Sequence, residues 1–166
     1  MKPRRPWWIW TGLLAVASVN ASAGGTRQVI AEFKKGTLQG LHGGKPFSYP
    51  LHSGTLAGGT TSNGLAFKSL DLFYASNDKV NPGNAGLVFG PLPQPGASGV
   101  PVNFMVGSKS LGTSRMVAPH STCTFKVVKA DASGVEGNGT CTGEMWDILK
   151  NTAMPSVTDV RFTALP

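Results

Sequence analysis

The chain has 166 residues, with fifteen basic and eight acidic side chains and a formal net charge of +7. Only 14% of the residues are charged, whereas 22 glycines and 12 prolines occur. Glycine and proline are the poorest helix formers, so this composition argues against long helices and favours short strands joined by turns. A nucleic-acid binder would show a clustered basic stripe. The basic residues after the leader are scattered, so we expect no nucleic-acid partner.

The first 23 residues have the order of a secretory signal peptide. A basic start (residues 2–5) precedes an apolar run (residues 7–19) and a small-x-small site at Ala21-Ser22-Ala23. This order predicts export and cleavage after residue 23, and the site looks bacterial. The apolar run is too short for a transmembrane helix, so no stable membrane insertion is expected after cleavage. Residues 24–166 then form a single domain that is periplasmic or secreted.

The stretch 121–143 contains the only two cysteines, Cys123 and Cys141. Between them, residues 131–134 (Asp-Ala-Ser-Gly) form the most turn-like tetrapeptide of the second half. The cysteines are symmetric about this turn to within one or two residues, and a β-bulge would account for the difference. Because exported proteins fold under oxidising conditions, we predict a disulfide between Cys123 and Cys141 across adjacent antiparallel strands.

Apolar and polar residues alternate along much of the chain, which is the pattern of a strand. The segments predicted as strands are 28–33, 37–41, 47–51, 65–76, 85–89, 100–106, 123–128 and 157–164. The sequence His42-Gly43-Gly44-Lys45 predicts a tight hairpin turn. Pro50 has no N–H for a ladder, so its strand is expected to lie at an edge or to break there. Residues 53–64 are predicted to be loop, with one short strand around residues 55–57 as an alternative.

Residues 144–150 form the only segment with a helical pattern, because Met145, Ile148 and Leu149 could share one face. The sequence therefore predicts an all-β fold of about eight strands with one short helix near 144–150. Its architecture would be an antiparallel β-sandwich or a partly closed barrel, since either buries one face of alternating strands. Trp146 is expected to pack in the core or as a lid, with an exposed binding platform as the alternative.

No catalytic, cofactor-binding or metal-binding residues are predicted. His42 falls in a turn, His52 at a strand end, and His120 three residues before Cys123. A blue-copper site needs two histidines and one cysteine, but no histidine follows either cysteine. The three histidines have no tight spacing that would indicate another metal.

A hydrolase is weakly supported by the sequence. No serine lies in a Gly-x-Ser-x-Gly elbow, although a triad is defined by geometry and not by position. A glycosidase would need two carboxylates in one cleft, whereas most acids fall at predicted turns or on outward strand positions. The acids are Glu32, Asp71, Asp78, Asp131, Glu136, Glu144, Asp147 and Asp159.

We therefore expect a non-enzymatic exported domain that binds an unknown protein or glycan through its loops or a sheet edge. Loops 76–84 and 90–99 are the candidate contact segments, because binding residues concentrate on loops. The alternatives are a secreted or periplasmic hydrolase with a site assembled from distant residues, and a structural subunit that polymerises by strand addition. Asn138-Gly139-Thr140 matches a glycosylation acceptor, which the bacterial character of the leader argues against.

Overall fold

The computed structural model describes residues 25–76, 78, 82–108, 113–117, 123–143, 145–147 and 150–166. The predicted leader lies outside these residues. Within them, the chain forms thirteen strands. In chain order the strands are β1 Thr26–Phe33, β2 Thr37–His42, β3 Lys45–Thr60, β4 Ala66–Ala75, β5 Gly83–Phe89, β6 Ser98–Gly99, β7 Asn103–Ser108, β8 Thr113–Val117, β9 Cys123–Asp131, β10 Gly134–Cys141, β11 Met145–Asp147, β12 Thr152–Met154 and β13 Val157–Ala164.

All strand pairs are antiparallel and belong to one sheet with the order β12-β11-β8-β7-β5-β4-β3-β2-β13-β10-β9-β6. The long strand β3 joins two halves of this sheet. Its residues 45–50 pair with β2, and its residues 54–60 pair with β1 on one side and β4 on the other. The sheet curls into half of a barrel. The all-β class and the partly closed antiparallel architecture are thus confirmed, with more strands than the eight expected.

The helix predicted near 144–150 is wrong. Met145 and Asp147 are fully buried whereas Trp146 between them is 38% exposed, which is the period of a strand. This strand, β11, pairs with β12 and with β8. A segment of two turns is too short to be stable as an isolated helix, and the two neighbouring strands supply its backbone partners instead. Glu144, Ile148 and Leu149 lie outside the described residues.

The core lies between the two halves of the sheet. Phe125 is at its centre, with its ring 5.1 Å from Phe104, 6.2 Å from Phe89 and 6.1 Å from Phe162. Phe89 and Phe104 come from β5 and β7, whereas Phe125 and Phe162 come from β9 and β13. Each of the four is at most 1% exposed. These ring contacts hold the halves together, because aromatic pairs add about 0.5 to 1.5 kcal/mol to the burial of their surface.

The disulfide hairpin is confirmed in detail. Asp131 pairs with Gly134 across a two-residue turn, and Cys123 pairs directly with Cys141. The Asp131 carboxylate accepts hydrogen bonds from the backbone N–H (2.7 Å) and the hydroxyl (2.6 Å) of Ser133. A register shift between Glu136 and Gly137 is the bulge that the cysteine positions require.

Three further sequence expectations have clear outcomes. The hairpin turn at residues 42–45 is confirmed, with Gly43 and Gly44 at positive φ. At Pro50 the strand continues, but its pairing passes from β2 to β4, so the missing N–H coincides with a change of partner. The loop expected at 53–64 is wrong, because β3 extends to Thr60. Close packing favours glycine at position 54, since a Cβ would lie 2.8 Å from the Leu72 side chain and 3.2 Å from that of Phe33.

Two core rings lie over glycines on the neighbouring strand β10. Gly137 is paired with Phe162 of β13, and Gly139 with Phe125 of β9. A Cβ added at Gly137 would overlap the Phe162 ring and would lie 2.6 Å from the carbonyl oxygen of Lys126. Glycine weakens a strand by itself, but here it provides the space that an aromatic ring fills.

Removal of the disulfide should destabilise the domain. With Cys123→Ser and Cys141→Ser together, we expect the free energy of unfolding to fall by about 3 kcal/mol, because the bridge closes an 18-residue separation in the unfolded chain. Urea unfolding followed by circular dichroism measures this difference. Wild-type protein that is reduced and alkylated should lose a similar amount. An unchanged midpoint in both samples would contradict the prediction.

Gly137→Ala should destabilise the fold by about 1 to 3 kcal/mol, the usual cost of overpacking a core. Thermal and urea unfolding measure the change. Gly90→Ala is the matched control, because its Cβ would meet only a methyl group of Val102 at 3.8 Å. If the two variants lose equal stability, the packing of rings over glycines is not the cause.

Candidate functional site

Five exposed polar side chains form a row across the outer face of the sheet. The register pairs Gln39 with Arg161, Arg161 with Asn138, Asn138 with Lys126, and Lys126 with Ser98. These residues come from β2, β13, β10, β9 and β6 in that spatial order. We call this set the polar row. Neighbouring strands are about 4.8 Å apart, so the row spans about 19 Å.

The polar row follows from strand alternation. Leu38, Phe125 and Phe162, which precede or follow members of the row, are buried in the core, so the adjacent positions must face outwards. The sequence alone does not assemble this row, because β13 lies between β2 and β10 and brings together segments that are far apart in the chain.

The polar row lies in a groove of about 960 Å³. Additional polar side chains around it are Thr37, Thr124, Glu136, Thr140, Asp159 and Thr163. A second depression of about 480 Å³ adjoins it over β2 and β3 and shares Gln39, Asp159 and Arg161. We call the two depressions together the polar groove. Its long dimension crosses the strands, and its side chains include both donors and acceptors.

Asp159 has an unusual backbone at the junction of the two depressions. Its φ is 53°, in the left-handed region that residues other than glycine rarely adopt. It belongs to the register shift between Thr158 and Arg161, where β13 bulges away from β2. Bulges re-aim side chains and are frequent beside binding sites. Here the bulge brings Asp159 into the groove that Arg161 also lines.

The charges of the polar groove balance. Lys126 and Arg161 are basic, and Glu136 and Asp159 are acidic. In the part of the chain that the structure describes, the two ion pairs are Arg27–Asp71 and Lys129–Asp131, so neither uses a groove side chain. The groove charges therefore remain accessible to a ligand.

Glu136 and Asp159 are the two acids that the fold brings into one groove. Glu136 is paired with Thr163, which is four residues along β13 from Asp159. At about 3.3 Å per residue this is about 13 Å. The carboxyl groups of a glycosidase are separated by only about 5 to 9.5 Å. Both side chains are also solvent-exposed, so the pair lacks the spacing and the enclosure of a hydrolytic site.

The histidines considered as metal or catalytic candidates lie elsewhere. His42 is 4% exposed, and its Nε2 has no hydrogen-bond partner in the described structure. His52 packs edge-on against Phe73, with the ring centres 5.6 Å apart. His120 lies outside the described residues. Among the residues that are described, no three His, Cys, Asp or Glu side chains form a cluster suited to a metal ion.

Loop 90–99 connects the two halves of the sheet. Leu92 N–H donates to the Lys68 carbonyl of β4, and Gly96 N–H donates to the Val127 carbonyl of β9. Its last residues form β6, which pairs with β9. The loop is therefore a structural strap, and it contributes Ser98 to the polar row. Most of loop 76–84 lies outside the described residues.

The preference for a packed Trp146 is wrong. The indole is 38% exposed, and its N–H donates to the Asn151 side-chain oxygen at 3.2 Å. It lies on β11, far along the sheet order from the polar groove.

Comparisons of the chain with protein-family models, with curated proteins and with solved structures found no match. In the described ranges, no helix has the length and apolar character needed to cross a bilayer.

The buried His42 should make stability depend on pH. Burial, and secondarily the charge of Lys45, lowers the pKa of His42 from its ordinary value of 6.5. Below pH 6.5 the unfolded chain binds this proton more readily than the folded chain, so the free energy of unfolding should fall as the pH is lowered. His42→Leu should flatten this dependence in urea unfolding between pH 5 and pH 8. Identical slopes in wild type and variant would contradict the assignment.

Proposed function

We propose that this protein is an exported, non-enzymatic binding domain that holds a neutral saccharide in the polar groove. The observation that carries the proposal is the polar row, Gln39-Arg161-Asn138-Lys126-Ser98, which lies in register on five strands. Sugar hydroxyls donate and accept hydrogen bonds, and the amide, hydroxyl and guanidinium groups of the row supply complementary partners. The disulfide supports an oxidising compartment, and the leader pattern supports the periplasm or the cell exterior.

The charge balance favours a neutral ligand. Two basic and two acidic side chains line the groove, so a polyanion would meet Glu136 and Asp159 as well as Lys126 and Arg161. A polyhydroxylated ligand can use all four, because charged groups form strong hydrogen bonds with hydroxyls. The flanking threonines add further hydroxyl partners along both sides of the row.

The exposed groove favours binding over hydrolysis. The separation of about 13 Å between Glu136 and Asp159 is too large for a pair that attacks and protonates one glycosidic bond. Neither depression of the polar groove includes a histidine among its lining residues. A ligand held there stays in contact with water on one side, so catalysis would lack the dry environment that strengthens electrostatic interactions.

The sheet edges give little support to polymerisation by strand addition. Among the described strands, the ends of the sheet order are β12 with three residues and β6 with two. β1 is longer, but its register shifts between Val29 and Ala31, and it carries Arg27 and Glu32. Short strands, bulges and charges are the features that protect an edge from pairing with another chain.

Binding by an open row of hydrogen bonds should be weak. Each net hydrogen bond contributes about 1 kcal/mol, and association has its own entropy cost. We therefore expect a dissociation constant on the order of 1 mM for a short oligosaccharide, which corresponds to about 4 kcal/mol. A longer chain that spans the row should bind more tightly because it makes more contacts.

The proposal is tested by titrating the isotope-labelled protein with neutral oligosaccharides of increasing length. Amide resonances of β2, β13, β10 and β9 should shift in fast exchange. Asn138→Ala with Arg161→Ala should weaken binding at least tenfold, because both side chains lie at the centre of the row. Their exposure means that the fold should be unaffected.

Lys129→Ala is the matched control, since Lys129 is an exposed lysine of β9 that does not line the groove. It should bind as the wild type does. Equal weakening by the control, or shifts confined to residues outside the groove, would refute the assignment. Release of reducing sugar that is lost in Glu136→Gln would instead establish the hydrolase alternative.

A further inference from the structure

The smaller depression of the polar groove combines apolar and polar residues in register. Leu41 of β2 pairs with Pro46 of β3, and Gln39 pairs with Ser48. All four residues line the depression, which has a volume of about 480 Å³. An apolar surface with a few fixed polar groups is the usual composition of a small-molecule site. A sugar ring suits such a surface, because it has C–H groups on its faces and hydroxyls around its edge.

Asp159 is the acid that lines this depression, and it lines the larger one as well. Within the described ranges, its carboxylate has neither an ion-pair nor a hydrogen-bond partner, and the residue is solvent-exposed. An ionised carboxylate only accepts hydrogen bonds, whereas the Arg161 guanidinium in the same depression only donates them. A hydroxyl both donates and accepts, so neighbouring sugar hydroxyls can satisfy both groups.

The surrounding strands hold Asp159 in this position. At this point β13 has one residue more than either of its neighbours, β2 and β10. Val157 and Val160 flank the bulge and are at most 1% exposed, so the core anchors both of its ends. On β2, a Cβ at Gly40 would lie 3.0 Å from the Thr158 carbonyl oxygen. The glycine opposite the bulge therefore provides the space that the extra residue needs.

The backbone of position 159 favours glycine. A bulge that contains a left-handed residue usually has glycine there, and a side chain in that conformation costs free energy, although Asp and Asn tolerate it better than other residues. Non-glycine residues in such conformations are concentrated at ligand-binding and active sites. Because the described fold supplies no polar partner for the Asp159 carboxylate, we look for that partner in a ligand.

We propose that Asp159 determines the specificity of the polar groove by binding two adjacent hydroxyls of one sugar ring in the smaller depression. This inference rests on the proposed saccharide-binding function. Each carboxylate oxygen accepts a hydrogen bond from one hydroxyl, and Arg161 donates to a hydroxyl oxygen. The C–H face of the ring lies against Leu41 and Pro46. The remaining sugar units of a longer chain follow the polar row through the larger depression.

The test titrates the isotope-labelled protein with the methyl glycosides of glucose, galactose and mannose. The glycoside that binds most tightly is then compared with its monodeoxy analogues, each of which lacks one hydroxyl. Amide resonances of residues 39–41 and 158–161 should shift. Two analogues that lack adjacent hydroxyls should bind about tenfold more weakly than the parent glycoside, because each leaves a carboxylate oxygen without its donor.

Two variants separate recognition by Asp159 from a structural role. Asp159→Asn keeps the shape of the side chain and tolerates the left-handed backbone. It should weaken binding of the parent glycoside about tenfold, since hydrogen bonds to a charged acceptor are about twice as strong as neutral ones. Asp159→Gly should bind the parent and the analogues with equal affinity. Its urea midpoint should not fall below that of the wild type, because glycine readily adopts positive φ.

Glu32→Gln is the matched control, because Glu32 is an exposed acid of β1 that lines neither depression. It should bind and discriminate as the wild type does. Equal discrimination among the analogues by wild type and Asp159→Gly would overturn the role of Asp159 and leave the groove as a saccharide site. If no saccharide of any length shifts the resonances of the groove, the proposed function and the role of Asp159 are both wrong.

Discussion

The contacts of Phe125 and Phe162 with the glycines of β10 determine much of this structure. Each ring lies over the glycine paired with it, Gly139 or Gly137, so the rings can approach the sheet more closely than any side chain would permit. This close approach orients β9, β10 and β13 so that one face of each strand points towards the core. A one-residue slip would expose both rings. The same packing therefore fixes which residues face the solvent, and the register it accompanies makes Asn138, Lys126 and Arg161 neighbours.

The long strand β3 connects these strands to the other half of the sheet. Its first part pairs with β2 and its second part with β4, so this one strand belongs to both halves of the sheet. Two further connections oppose opening: the strap at 90–99, and the Tyr74 hydroxyl, which donates to the Thr163 carbonyl at 3.1 Å. Burial raises the pKa of Tyr74, which keeps this hydroxyl protonated as a donor. The polar groove is thus built on a frame whose two halves are tied together.

The sequence pattern predicted those elements whose formation depends on residues close together in the chain. The hairpin from Cys123 to Cys141 was predictable because its turn, its bulge and its bridge all lie within one short segment. The buried face of β13 was predictable because Val160, Phe162 and Ala164 alternate without interruption. The segment 144–150 failed, because both periods fit so short a stretch and its neighbours β8 and β12 decide the outcome. The loop expected at 53–64 failed because glycine is a poor strand former alone, whereas Leu72 and Phe33 pack into the space that Gly54 leaves.

The polar row could not be predicted, because it depends on a strand order that joins β2 to β13 across most of the chain. The buried rings of Phe125 and Phe162 hold their neighbours Lys126 and Arg161 on the solvent side of the sheet. Alternation along each strand therefore fixes the direction of these side chains, whereas the strand order decides which of them become neighbours in the row.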